Sequence, residues 1–193
     1  MSRVSKIILV HEGWRDSAFA RGFLGAAGID GRVIDPRPNP GGSGHDWVKN
    51  QFAAEVANLM RFSEGRGVLG LLDEDGKGVA ELEHEVEEVL KARSLPPISA
   101  QQGRCLLLPT RNLETWLYWL TSQRRGSAME VDEVTDYKKG GPPGNAPRLR
   151  DQDCRPAGEA LHRLNHAQPP QGCPPMLVQA LGNLRKFLNA VRL

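Results

Sequence analysis

Val68-Leu69-Gly70-Leu71-Leu72-Asp73-Glu74-Asp75-Gly76 is the stretch on which the reading of this chain turns. Its apolar residues are interrupted only by Gly70 and stop abruptly at an acidic turn. A run this short, closed by Asp and Gly, predicts a strand buried on both faces, as in a parallel sheet. Two aspartates two residues apart leave the end of that strand. Withdrawing a carboxylate from water costs roughly several kcal/mol unless it is paired. Asp73 and Asp75 are therefore either solvated in a turn or gathered around a cation. A hard divalent ion fits such a place, because it takes one or two carboxylates and keeps waters for a substrate.

The pattern repeats on both sides of this strand. Lys6–Val10 (KIILV) predicts a first strand, followed by a helix capped by Asp16 or Ser17 and carrying Phe19, Phe23 and Leu24 on one face. Gly31–Asp35 predicts a second strand, after which Pro36, Pro38 and Pro40 should bar regular structure. A helix from His45 or Asp46 follows, with Val48, Phe52, Val56, Leu59 and Met60 as its apolar stripe. Beyond the central strand come a helix over 79–92, a strand at Cys105–Leu108, and a helix capped by Thr110 or Asn112. Strands alternating with helices imply an α/β, Rossmann-like, mainly parallel sheet of about four strands over residues 1–122. Residues 123–193 read as a mostly helical and looped C-terminal extension packing on that core. They hold one short helix over 157–166 and a final amphipathic helix through Leu177, Leu181, Leu184, Leu188 and Val191.

At 193 residues the chain is long enough for one domain with a buried core. Its net charge of +2 argues neither for nor against a polyanionic partner, but the acids crowd 73–88 while later segments are basic. Cys105, Cys154 and Cys173 are odd in number and lack a CxxC spacing. They read as reduced thiols rather than as a disulfide framework or, with His162 or His166, a zinc site. No stretch approaches the length of an apolar span, so the expectation is a cytoplasmic protein that makes no use of a membrane.

Ligands of open parallel sheets sit beyond the carboxyl ends of the strands, near a switch in strand order. Glu12 follows the first strand, Asp73 and Asp75 the third, and Glu114 opens the helix after the fourth. Each alone has an ordinary reading as a turn or helix-start acid. Together they form a set whose mutual repulsion calls for a cation, and Mg²⁺ or Mn²⁺ would also polarise a phosphate and activate water.

The order of these residues resembles the Toprim domain of topoisomerases, primases and OLD-family nucleases, in particular small stand-alone bacterial Toprim-like proteins, some linked to phage defence. VHEGWRDSAFARGFL (10–24) looks like the first Toprim motif, LLDEDG (71–76) like the second, and PTRNLETWL (109–117) like a further acidic motif. The likeness covers about residues 4–121. Trp14 and Arg15 depart from the pattern, being larger than expected beside the catalytic Glu. The resemblance implies a metal-dependent nuclease acting on DNA or RNA. In it Glu12 is general acid or base and metal ligand, Asp73 and Asp75 are ligands, and Glu114 is a further ligand or a positioner. Proteins of this kind carry a lysine after the core, a part that falls to Lys139, where it would stabilise developing phosphorane charge.

Phosphate contacts are expected from Gly42 and Gly44 in the Gly41–Gly44 loop, from His45, and from Lys138 and Arg148. Arg150 and Arg155 are further basic candidates. Trp116 and Trp119 read as packing residues, and the aromatics are too few to form a base-stacking platform. The alternative function is a non-catalytic Toprim-like subunit working with a partner ATPase, since the chain has no ATP-binding loop of its own. A receiver-like phosphoacceptor fits less well, because Pro109 stands where a lysine is expected. The oligomeric state is open, a homo-oligomer included.

Overall fold

Four short apolar runs pair side by side, all parallel, in the order β2-β1-β3-β4. They are β1 (Lys6–His11), β2 (Ile34–Pro38), β3 (Arg66–Leu71) and β4 (Arg104–Leu107). The structure is a computed structural model and describes residues 4–41, 44–61, 65–126, 129–164 and 168–192. Side chains alternate across the sheet as strand geometry requires. Leu9, Leu69 and Leu71 enter one apolar cluster, and Val10, Val68 and Leu72 the other. The second cluster is closed by α2 (Gly44–Leu59) and α3 (Val79–Ala92). The first is closed by α1 (Trp14–Ala26), α4 (Leu113–Arg124), α6 (Asp151–Arg163) and α7 (Pro175–Val191). The fold is therefore an α/β Rossmann-like sandwich with helices on both faces of a parallel sheet.

Several elements differ from expectation. Gly31–Val33 is a 3₁₀ turn, its N-cap Asp30 accepting from the Arg32 amide at 2.9 Å. The second strand then begins at Ile34 and runs through Pro36 and Pro38, paired with Leu9 and His11. This strand lies at the sheet edge, where a missing N–H interrupts no ladder on the open side. α1 starts at Trp14, ahead of the expected cap, because Asp16 reaches back to accept from the Gly13 amide at 2.8 Å. Met60 is exposed just beyond α2. α6 begins six residues earlier than expected and carries Pro156 within it, while His166 lies outside the described residues.

The C-terminal third completes the core rather than decorating it. α6 crosses α1 with the two backbones in contact. A Cβ added at Gly22 would strike the Arg155 carbonyl, and one at Gly158 the Phe19 carbonyl. Phe187 and Val191 of α7 press against the β3 backbone at Gly67. Cys105, Cys154 and Cys173 are free thiols, and burial pushes the Cys105 thiol up to about 12. No helix among the described residues is long and apolar enough to cross a membrane.

Candidate acidic cleft at the switch in strand order

After β1 the chain passes to β2 on one side, whereas β3 lies on the other. The loops leaving β1 and β3 therefore diverge and leave a crevice between them. A cleft of about 520 Å³ opens there, lined by Glu12, Asp16, Asp73, Glu114, Arg15 and Lys138 among others.

Glu12 leaves β1 directly into this cleft. Its carboxylate rests against Gly44, where a Cβ would stand 2.5 Å from Oε2, so the first residue of α2 has to be small. Glu12 Oε1 is buried without a hydrogen-bond partner. His45 Nε2 stands 3.6 Å from that oxygen and 3.4 Å from Asp75 Oδ2, between the residues that leave β1 and β3.

The acidic triplet after β3 divides its work. Asp73 Oδ1 accepts from the Leu113 amide at 2.9 Å and so caps α4. Its Oδ2 faces Lys138 Nζ at 3.6 Å. Asn112 occupies the N-cap position but makes no capping bond of its own, and its amide donates to Asp136 at 2.9 Å instead. Glu74 turns away from the cleft and accepts from the backbone amides of Arg111, at 2.8 Å, and Gly78. Those donors hold its carboxyl below the ordinary range although burial opposes them. Asp75 takes a left-handed conformation, φ 50°, and donates its amide to the Arg111 carbonyl at 2.8 Å. Aspartate is among the few residues that adopt this region readily.

Lys138 comes from α5 (Tyr137–Gly140), a single turn docked beside the start of α4. Asp136 caps it, Tyr137 is buried against Tyr118, and the Tyr137 hydroxyl accepts from the Asp132 amide at 2.8 Å. Adjacent residues of a helix point about 100° apart. Lys138 therefore enters the cleft while Lys139, its side chain 86% exposed, lies 3.6 Å from Asp136. Of the two lysines named from the sequence, Lys138 lines the cleft and Lys139 does not.

Glu114 is committed to Arg15, whose Nη1 donates to Oε1 at 2.8 Å while its Nε reaches Asp151 at 3.2 Å. Its surroundings fit a positioning part better than a ligand. Arg148 is exposed on the connection between α5 and α6 and does not line the cleft. Gly44 does line it, and Gly42 lies outside the described residues. Asp16, Arg15 and Asp151 are cleft residues that sequence reasoning did not assign. Asp16 had been read only as a helix cap, and pairing of Arg15 with two acids more than ninety positions away has no local signal.

Burial, and then charge crowding, raises the carboxyls of Glu12, Asp16 and Asp73. Burial, then Asp16 and Asp75, lift Glu12 to about 7 against the pull of Lys138. Burial and Glu114 lift Asp16 to about 6, although the Gly13 amide and Lys138 favour its ionised form. Asp73 is pushed well above its usual range, by burial first and then by Asp16, Glu114 and Glu12. Lys138 responds in the opposite sense: burial works against its charge, but Asp73, Asp75, Glu114 and Glu12 together raise it.

Among the described residues no three His, Cys, Asp or Glu side chains are gathered closely enough to ligate one ion as they stand. The donors still suit a hard cation. They are carboxylate oxygens, one of them buried and unbonded at Glu12. Magnesium takes one or two carboxylates and fills its remaining positions with water. The chain matches no protein-family model, no curated protein and no solved structure.

Proposed function

We propose that this chain is a Toprim-like, divalent-metal-dependent phosphodiesterase of the cytoplasm that cleaves nucleic acid, with a role in defence against phage. The observation that carries the reading is that Glu12 and Asp73 line one cleft at the strand-order switch, with His45 between Glu12 and Asp75 and Lys138 facing Asp73. Asp73 and Asp75 would hold Mg²⁺ or Mn²⁺, which when bound neutralises phosphate charge and lowers the pKa of a coordinated water. Glu12, lifted to about 7, is suited to accept and return a proton near neutral pH. Lys138 sits where it can pair with a phosphate oxygen once a cation relieves it of Asp73. The Arg15–Glu114 pair fixes a guanidinium in the same cleft, a second contact for the substrate backbone.

One observation favours a second reading. Asp73 already faces a lysine and Glu114 an arginine, so the chain neutralises part of its own acidic set. That is the arrangement of a subunit that waits for a partner, such as an ATPase, to open the cleft. Incubation with plasmid, single-stranded DNA and RNA in Mg²⁺ or Mn²⁺ separates the two. Cutting that is lost in Glu12→Gln and Asp73→Asn, and with EDTA, is the expected result. Absence of cutting on every substrate under both ions overturns the catalytic reading of the isolated chain.

A further inference from the structure

Trp14 is the first residue of α1, two positions after Glu12, and it is 60% exposed. It lines the acidic cleft and also a second, larger groove of about 770 Å³ that runs along α1 between the 3₁₀ turn before β2 and α6. Trp14 and Asp151 line both, so groove and cleft adjoin. The groove is floored by apolar residues such as Ile29, Ile34 and Pro156, and it carries two cations, Arg21 and Arg155. Among the described residues Arg21 makes no ion pair or hydrogen bond, and Arg155 meets only Glu159 of its own helix, at 3.6 Å. Asp151, the one acid lining it among the described residues, is already paired with Arg15.

An exposed indole beside an apolar trough and two guanidiniums, one of them paired only within its own helix, suits one ligand chemistry: unpaired bases joined by phosphates. Single strands bind by stacking bases on aromatic rings while basic side chains follow the backbone. In a duplex the base faces are already stacked and unavailable to Trp14. We infer that the α1–α6 groove holds the unpaired nucleotides flanking the scissile phosphate, with a base stacked on Trp14 and the backbone following Arg21 and Arg155. This rests on the phosphodiesterase reading for the direction of the strand, and it adds that the substrate is single-stranded or locally opened.

The test is binding without cutting. Labelled oligo-dT, oligo-rU and a DNA duplex of equal length are titrated by fluorescence anisotropy against the full chain in EDTA. Tight single-strand binding and weaker duplex binding are expected. Trp14→Ala should weaken single-strand binding roughly tenfold, and Trp14→Phe should restore most of it. Arg21→Gln and Arg155→Gln should each reduce the salt dependence by about 0.7 in the log–log slope, the value for one phosphate contact on a single strand. Trp14 and Arg155 are exposed, and circular dichroism verifies that the variants stay folded. Equal affinity of wild type and Trp14→Ala, or equal affinity for duplex and single strand, overturns the groove assignment. The dT and rU arms separate DNA from RNA as its source. Should Trp14-dependent binding occur with no cutting under any metal, the groove stands and the enzymatic reading falls. Should cutting occur with the same KM in Trp14→Ala, the reverse holds.

Discussion

Glu12 is a carboxylate that folding places where its charge is unwelcome. Its Oε1 is buried and unbonded, Asp16 and Asp75 repel it, and Lys138 favours its ionised form. Its folded pKa of about 7 lies above the ordinary value of 4.5. The native state therefore binds a proton that the unfolded chain has already released between those values, and stability falls as pH rises through that window. His11 and His162 are displaced the other way by burial and by nearby arginines, and they weaken the fold as pH falls. A comparison of wild type with Glu12→Gln cancels those histidines. The variant should match wild type near pH 5 and become the more stable by roughly 1–2 kcal/mol at pH 8, in urea melts without divalent ions. Added Mg²⁺ should narrow the gap by stabilising the wild type. A stability difference that does not grow with pH would mean that Glu12 is solvated and the cleft open.

α5 converts one turn of helix into a decision between two adjacent lysines. Lys138, half exposed, faces the buried carboxylate of Asp73, and Lys139, 86% exposed, lies against its own cap. Lys138→Ala should cost about 1 kcal/mol at pH 8, because it removes the half-exposed counter-charge 3.6 Å from Asp73. Lys139→Ala should fall within about 0.5 kcal/mol of wild type. Denaturant midpoints of the two variants check this without any assay of function, and equal losses would refute the orientation of α5. This turn also marks where sequence stops informing structure. β1, β3, β4 and α3 were legible because burial on both sheet faces, or on one helix face, leaves an unbroken apolar signature. The acids at the strand ends were legible because parallel sheets gather their strand ends at one edge. α5 is held by Tyr137 against Tyr118 and by Asp136 against Asn112, contacts between segments with no shared periodicity. β2 was misplaced because prolines exclude a strand everywhere except at a sheet edge, and edges are set by the other strands. Glu74 carries no signal of its own in the sequence, and the Arg111 and Gly78 amides show it to be a brace.

At the scale of the whole molecule the first 122 residues hold every acid of the cleft proposed to act on metal or proton, yet they do not hold the core that supports them. Leu161, Leu177, Leu181, Leu184 and Phe187 are at most 2% exposed, and they share one cluster with Leu9, Phe19, Leu69 and Trp116. Burying a side chain of this size contributes about 1.5–3 kcal/mol. Losing five of them would remove as much as the roughly 5–15 kcal/mol by which a domain of this kind is stable. Removal of α6 would also uncover the α1 backbone at Gly22, where the close crossing leaves no side chain to shield it. The fragment 1–122 is therefore expected to lack a cooperative urea transition and to bind a hydrophobic dye, whereas the full chain unfolds in one step. Near-ultraviolet circular dichroism is a sensitive probe, because Trp116 and Trp119 are fully buried in the intact core and would lose their fixed surroundings. A sharp transition in the fragment would mean that the α/β half stands alone and that the C-terminal helices were added to a finished fold. With no such transition, α5 and α6 cannot be separated from the cleft, and Lys138 and Asp151 are as much a product of the core as Glu12 is.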